Sequence, residues 1–233
     1  MKQFSNRYIF VFSIVMVISV ATLLSLAATL LQPAQEKNLE IEKKKSMLES
    51  IRIPATWDNT EDLYDKYIKE SFVLNSKGET VDGVDAFTVV LRNEQKKPLE
   101  EQSLPVFKAT SDDGEKVTIL PVEGKGLWGP IYGYVSLKSD MNTIYGVTFD
   151  HKGETPGLGA EINTSDFEGM FPDKKLFDND KFVSVQVHKG GAEENDIHGV
   201  DAISGGTITS KGLEKMLLDC ISKYNDYLLK NRI

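Results

Sequence analysis

Cysteine and histidine are scarce in this sequence. Its 233 residues include one cysteine, Cys220, and three histidines, His151, His188 and His198. A single cysteine excludes an internal disulfide and a cysteine-rich metal cluster, and its usual role is that of a small buried core residue. The histidines have no cysteine or histidine partner at the three- or four-residue spacing of zinc ligands. We therefore predict no metal site.

The chain also has fewer basic than acidic residues. Lysine and arginine together number 27, against 35 acidic residues, which gives a net charge of -8 at pH 7. Since nucleic acids are bound through basic surfaces, we exclude them as partners. The sequence has no P-loop, no dinucleotide fingerprint and no nucleophile elbow. It therefore gives no support for a nucleoside triphosphatase, a nicotinamide site or a hydrolase.

Charged residues are absent from one long apolar stretch, residues 8–31. At about 1.5 Å per residue, a helix of this length exceeds the roughly 30 Å hydrocarbon core of a bilayer. A cleaved signal peptide is the alternative, since Lys2 and Arg7 precede the stretch and residues 25–27 resemble a cleavage site. Because the apolar segment of a signal peptide is usually about 7–15 residues long, we favour a retained transmembrane helix.

The apolar stretch divides the chain into four regions. Residues 1–7 form a cytoplasmic tail, residues 8–31 the transmembrane helix, residues 32–56 a charged stalk and residues 57–233 a globular domain. In the stalk, glutamates alternate with lysines as they do on a solvated helix. Basic residues flank the apolar stretch on both sides, so charge alone does not settle its orientation in the membrane.

The globular region has the pattern of an α+β domain. Asn59 or Thr60 is placed to cap a helix that continues to Ile68. Short β-rich runs bounded by turn residues follow, and no long helical pattern separates most of them. This arrangement predicts a mainly antiparallel sheet with packed helices. The predicted strands are 86–91, 116–122, 131–137, 143–149 and 182–187.

The clearest predicted helix lies near the C-terminus. Its apolar residues recur at steps of three and four, which forms one stripe on a helix of about four turns that packs on the sheet. Ser210 is the predicted N-cap. The stripe consists of Leu213, Met216, Leu217, Cys220, Ile221, Tyr224 and Leu228.

The segment SGGTITSKG, residues 204–212, lies at the start of that helix. A helix N-terminus offers unpaired N–H groups and about half a positive charge, and Gly205 and Gly206 allow a ligand to approach closely. An anion therefore fits there. From the spacing alone, an ordinary glycine-rich turn with a serine cap is the simpler interpretation.

The longer segment DAISGGTITS, residues 201–210, resembles the motif Asp-x-x-Ser/Thr-Gly-Ala-Thr of the FMN-binding domain family. A second segment, ETPGLGAEI at 154–162, resembles the Glu-Thr-Pro-Gly-Leu-Gly loop of the same family. The resemblance implies FMN linked covalently to Thr207 through a phosphoester. Gly206 is a departure from the motif, since the family usually has alanine at that position.

The resemblance also implies how the flavin is surrounded. The loop 154–159 would lie against the flavin ring, and the N–H groups of residues 210–212 would stabilise the phosphate. Lys211 either adds a charge-assisted contact or is a solvated lysine, and Asp201 suits recognition by the modifying enzyme. Trp128 either lines the flavin edge or is a core or sheet-edge aromatic residue. The implied cofactor-binding residues are Trp128, Glu154, Thr155, Pro156, Gly157, Leu158, Gly159, Asp201, Ser204, Gly205, Gly206, Thr207, Ser210 and Lys211.

Within this family, the segment GKGLWGPIYGYVSL at 124–137 is most similar to the NqrC group, which belongs to the Na+-translocating NADH:quinone reductases. This implies an electron relay in a multisubunit pump that oxidises NADH and reduces ubiquinone, inactive without its membrane and NADH-oxidising partners. It also implies the inner membrane, a flavin domain on the periplasmic side and an FAD-dependent FMN transferase. Two alternatives stay open: the homologous flavin protein of the ferredoxin-linked Rnf complex, and a non-enzymatic, membrane-tethered binding module.

Overall fold

The computed structural model of the chain describes residues 5–232. Most of the predicted tail, residues 1–7, therefore lies outside the described residues. The chain divides into two compact units, one that ends at Lys43 and one that begins at Lys44.

Helix α1, Asn6–Ser50, contains the whole apolar stretch. Among the described residues it is the one helix long and apolar enough to cross a membrane, with a mean hydropathy of 2.7 over its most apolar window. Pro33 lies inside the helix just after the apolar stretch. The helix therefore has the length and composition of a membrane anchor, as predicted for residues 8–31.

The last turns of α1 differ from the predicted solvated stalk. Met47 and Leu48 in the last turn of α1, and Ile51 and Ile53 just after it, are all buried and form part of a hydrophobic core. The compact domain accordingly begins at Lys44, earlier than the expected boundary at residue 57. The alternation of charges concealed this boundary, because the apolar residues that pack here are interspersed among lysines and glutamates.

The second unit is an α+β domain built on an antiparallel sheet of six strands, in the order β2-β1-β3-β4-β5-β6. This confirms the predicted fold class. Two small strand pairs, β7 with β8 and the parallel β9 with β10, lie outside this sheet. After α1 the elements are α2 Thr60–Tyr67, β1 Ile68–Leu74, β2 Thr80–Val81, α3 Leu91–Glu94, β3 Leu104–Thr110, β4 Lys116–Lys125, β5 Pro130–Leu137, β6 Ile144–His151, α4 Ser165–Glu168, β7 Phe177–Asp178, β8 Lys181–Phe182, β9 Gln186–His188, β10 Gly199–Asp201, α5 Thr207–Ile221 and α6 Asn225–Asn231. Short 3-10 helices cover Ala86–Thr88, Leu99–Glu101, Gly159–Asn163 and Ser222–Tyr224.

Three of the five predicted strands are confirmed as β4, β5 and β6. The run 86–91 is wrong as a strand, because Asp85 accepts a hydrogen bond from the Phe87 N–H and starts a 3-10 turn there. The run 182–187 is divided between β8 and β9, which belong to different strand pairs.

Strands β1 and β3 were not predicted. In β1 the sequence IKESFVL has three polar residues, 69–71, directly after Ile68, and the preceding helix runs directly into the strand. In β3 the sequence LPVFKAT contains Pro105, which lacks the N–H that an interior strand residue donates. Both strands are fixed by pairing with each other along six residue pairs, a long-range contact that local patterns do not report.

Strands β3, β4 and β6 of the main sheet are buried on both faces, which explains why they are nearly continuous apolar runs. In β4, Leu120 and Val122 point into one core while Val117 and Ile119 point into the other, as strand alternation requires. The first core contains the stripe of α5 and α6, and the second contains the end of α1. Every residue of the predicted stripe from Leu213 to Leu228 is buried.

Helix α5 packs closely on β4, and this contact positions the start of the helix. A Cβ at Gly124 would lie 2.6 Å from the Met216 Cβ, and a Cβ at Gly212 would lie 2.4 Å from the Lys125 carbonyl oxygen. No side chain fits between helix and strand at these two points. The N-terminus of α5 is thereby held beside the turn that joins β4 to β5.

Candidate functional site

Three loops meet at the N-terminus of α5. They are the β4–β5 turn at 126–129, the loop after β6 at 152–158 and the turn 202–206 that enters α5. The last two carry the two motifs that sequence analysis singled out. The fold therefore brings both motifs, which lie some 50 residues apart in the chain, to one edge of the sheet.

Helix α5 begins at Thr207, with Gly206 as its N-cap. The prediction of Ser210 as N-cap is wrong, because the Ser210 N–H already donates to the Gly206 carbonyl at 2.9 Å. The Ser210 hydroxyl accepts a hydrogen bond from the Ile203 N–H at 3.1 Å, which ties the entering turn to the helix. The N–H groups that precede this first helical bond are those of residues 207–209, not residues 210–212 as predicted.

The hydroxyl groups of this segment differ sharply in accessibility. Thr207 is exposed at the first position of the helix, and Ser204 is exposed in the turn before it. Thr209 and Ser210 are each 1 % exposed, and their hydroxyls are bonded within the protein. Thr207 is therefore the one threonine of the TIT sequence that a reagent in solution can reach.

Glu154 connects the three loops. Its Oε1 accepts a hydrogen bond from the Trp128 N–H at 2.8 Å, and its Oε2 accepts one from the Thr209 hydroxyl at 2.5 Å. Its own N–H donates to Nδ1 of His151 at 3.2 Å. The residue is only 5 % exposed, so these bonds replace the water that a carboxylate otherwise requires.

The environment of Glu154 favours its ionised form. Burial alone would raise the pKa of the carboxyl, but the hydrogen bonds from Thr209 and from the N–H groups of Trp128 and Gly129 outweigh burial. The pKa of Glu154 consequently lies below its ordinary value of 4.5. At neutral pH the residue is a buried, fully bonded carboxylate.

The loop after Glu154 folds over the turn that enters α5. The Thr155 carbonyl accepts hydrogen bonds from the N–H groups of Leu158 and Ala160, at 3.1 and 3.2 Å, which closes the loop on itself. Gly157 has a φ of +75°, a left-handed conformation that favours glycine after Pro156. A Cβ at Gly205 would lie 2.6 Å from the Leu158 Cδ2, so this side chain rests on the turn.

Gly206 is enclosed, which bears on its departure from the family motif. Its φ of -99° is accessible to any residue. A Cβ there, however, would lie 2.8 Å from the Ile203 Cγ2 and 3.3 Å from the Leu158 carbonyl carbon. In this chain, Ile203 and the loop after Glu154 therefore occupy the space that the methyl group of an alanine would need at position 206.

Two charged residues of the motif form their contacts away from the N-terminus of α5. The Lys211 Nζ lies 2.7 Å from Glu214 Oε2 on the same helix, which agrees with the alternative of a solvated lysine. Asp201 ends β10, and its carboxylate accepts a hydrogen bond from the Ala192 N–H at 2.7 Å. Asp201 thus holds the glycine-containing turn after β9 against its own strand.

Large apolar side chains are exposed around the helix start. Trp128 is 70 % exposed, so it is not a core aromatic residue. Leu127, Leu158 and Ile208 are exposed as well. Leu127, Ile208 and Thr209 were not predicted as site residues. The sequence could have indicated Thr209, because this residue lies at an inward-facing position of the helix, two residues after Thr207.

Comparison with known proteins assigns the family. A model of the FMN-binding domain matches residues 126–222, which include all three loops. NqrC of the Na+-translocating NADH-quinone reductase from Vibrio vulnificus is 33 % identical over 208 residues, covering 82 % of this chain and 81 % of the relative. The chain belongs to the NqrC family. The Pasteurella multocida NqrC is 35 % identical over 216 residues, covering 80 % of this chain and 78 % of the relative.

Solved structures of NqrC share this fold. The crystal structure of NqrC from Parabacteroides distasonis has a TM-score of 0.78 at 43 % identity, covering 85 % of this chain and 96 % of that one. The Shewanella oneidensis NqrC structure has a TM-score of 0.71 at 28 % identity, covering 82 % and 97 %. The sheet and helices that carry the three loops are therefore those of the NqrC family.

We expect Glu154→Gln to lower the free energy of unfolding of the apoprotein by about 1–3 kcal/mol at pH 7, since it weakens two hydrogen bonds to a charged group. A carboxylate with a lowered pKa stabilises the fold only while it is ionised. The difference between parent and variant should therefore shrink as the pH falls below about 4.5, the ordinary pKa. Denaturant unfolding in mild detergent at pH 7 and pH 3 measures this difference. A difference that is equal at both pH values would contradict the account.

We expect Gly206→Ala to lower the free energy of unfolding by about 1–3 kcal/mol, because the new methyl group overlaps Ile203 and the loop after Glu154. Gly153→Ala is the matched control, since a Cβ there meets no atom within 4 Å. Thermal unfolding of both variants beside the parent is the measurement. Equal stability of Gly206→Ala and the parent would show that the turn has more room than the structure gives it.

Proposed function

We propose that this chain is an electron-relay protein that carries FMN on Thr207, linked through a phosphoester, within a Na+-translocating NADH:quinone reductase. Membership in the NqrC family and the match to the FMN-binding domain support the flavin relay. The covalent link rests on a single observation, the exposed Thr207 hydroxyl at the first position of α5.

The residues present fit a flavin phosphate at this position. Residues 207–209 supply the unpaired N–H groups of a helix start, which stabilise the one ionised oxygen of a phosphodiester. Exposed Trp128, Leu158 and Ile208 offer apolar surface beside the same helix start for a planar aromatic ring. Gly157 has a positive φ, and a Cβ there would meet no atom within 4 Å, so the backbone is bare at this point of the surface. When bound, FMN supplies one-electron redox chemistry, and the protein supplies its position and surroundings.

Attachment requires a donor that provides an activated phosphate. With FAD as donor, the Thr207 oxygen forms a bond to the phosphorus of the riboflavin phosphate, the phosphoanhydride bond breaks, and AMP leaves. The threonine proton is released, and no electrons are exchanged. The chain gains one FMN less one water. We assign this step to a separate FAD-dependent FMN transferase, and we assign Asp201 to recognition by that enzyme because it is exposed beside the turn.

A covalent tether suits a domain that lies outside the cytoplasm. Free FMN is scarce there, so a flavin held by affinity alone would be lost by mass action. We place the anchor α1 in the inner membrane and the flavin domain on the periplasmic side. Other subunits must oxidise NADH, reduce ubiquinone and form the Na+ path, since one membrane helix does not provide them. The NqrC relatives favour this complex over the ferredoxin-linked Rnf complex.

The test is the intact mass of the full chain made with its transferase, beside Thr207→Ala and Thr207→Ser. The parent and Thr207→Ser should gain the mass of one FMN less one water, because both retain a hydroxyl at the exposed position. Thr207→Ala should gain none.

The control variant is Thr80→Ala, which removes an exposed hydroxyl of β2 outside the segment and should be modified like the parent. Asp201→Ala tests the recognition role and should be modified more slowly. If the parent gains no mass while the transferase modifies a known substrate, the covalent flavin is refuted. The binding-module alternative would then be favoured.

A further inference from the structure

The Glu154 carboxylate occupies a site built for it. A Cβ at Gly126 would lie 2.5 Å from Oε1, and a Cβ at Gly159 would lie 2.4 Å from both Oε2 and the Thr209 hydroxyl oxygen. Any side chain at these two positions would displace the carboxylate. Two glycines from different loops therefore leave room for one ionised group, and its oxygens are engaged with the protein rather than aimed outward.

The bond to Thr209 fixes the rotation of the first turn of α5. Successive residues of an α-helix are roughly 100° apart, so Thr207 and Thr209 point in nearly opposite directions. When Glu154 holds the Thr209 hydroxyl in the interior, Thr207 must face solvent. The observed exposure agrees, since Thr209 is 1 % exposed and Thr207 lies on the surface.

The remaining bond of Glu154 fixes a second part of the surroundings. The Trp128 N–H donates to Oε1, and the turn that carries Trp128 is closed by the Gly126 N–H bonded to the Gly129 carbonyl at 2.8 Å. One carboxylate thus holds in place both the turn that carries the exposed Trp128 and the helix turn that carries Thr207.

From these contacts we infer that Glu154 is a positioning residue for flavin attachment: by holding Thr209, it presents the Thr207 hydroxyl to the transferase. This inference rests on the proposed function, since it requires Thr207 as the acceptor. Glu154 is buried and lies outside the surface that a transferase can touch. Its loss should therefore lower the kcat of attachment, which depends on the orientation of the hydroxyl, and should leave KM nearly unchanged.

The experiment measures kcat and KM for modification of the full-length apoprotein in detergent, with purified transferase and FAD, from the time course of intact mass. Glu154→Gln and Thr209→Val should each lower kcat by about tenfold with KM within about twofold. Thr209→Ser keeps the hydroxyl that bonds to Glu154 and should be modified nearly as fast as the parent. Because Glu154 acts through Thr209, the double variant should be no slower than the slower single variant.

The control variants make the same kinds of substitution at exposed residues outside the site. Glu100→Gln makes the same change at an exposed glutamate, and Thr80→Val makes the other change at an exposed threonine of β2. Both should leave kcat unchanged. Circular dichroism at the assay temperature checks folding. If Glu154→Gln does not fold, the comparison of Thr209→Val with Thr209→Ser decides the question, since neither alters a charge.

Two results would overturn the inference. One is a kcat for Thr209→Val equal to that of the parent, and the other is a double variant whose defect is the product of the two single defects. Failure of the proposed function looks different. In that case, the parent is not modified by an active transferase, or Thr207→Ala gains the same mass as the parent, and the positioning role is refuted with it.

Discussion

The buried carboxylate of Glu154 is the contact on which the rest of the site depends. It is ionised although it is only 5 % exposed, and the hydrogen bonds that it accepts offset its burial. Those bonds come from the turn between β4 and β5 and from the first turn of α5. The loop that supplies Glu154 also covers the turn before the helix through Leu158. Removing this one charge would loosen three segments at once.

The wider fold makes this arrangement possible. Helix α5 lies so close to β4 that Gly124 and Gly212 have no space for a side chain. This close packing fixes the position of the helix N-terminus relative to the strand. The sheet is covered on its other face by the last turn of α1 and the residues that follow it. Loops form most of the site, and the sheet and α5 hold the ends of these loops in place. Many proteins likewise carry their functional groups on loops that a rigid scaffold of helices and strands holds in position.

The sequence predicted those parts whose signal is local. The stripe of α5 follows from helical spacing, and β4 to β6 follow from apolar runs between turn residues. The strand β3 was missed because Pro105 interrupts its pattern, and β1 was missed because polar residues 69–71 follow Ile68 directly after a helix. In the site, the motifs indicated Thr207 and Glu154, but they did not distinguish a residue that faces solvent from one that faces inward. Ser210 was mistaken for the cap, since the choice among the hydroxyls of SGGTITS depends on where the helix begins. The bond between Glu154 and Thr209 joins residues 55 positions apart and has no local signature.

Exposure at the first position of α5 distinguishes Thr207 from the buried hydroxyls of Thr209 and Ser210. Fragment mass spectrometry of the protease-digested, transferase-treated protein tests this distinction most directly, because it assigns the added group to one side chain. We expect the FMN phosphoester on Thr207 alone, with Ser204, Thr209 and Ser210 unmodified. Modification at Thr209 or Ser210, whose hydroxyls are buried and bonded here, would contradict it.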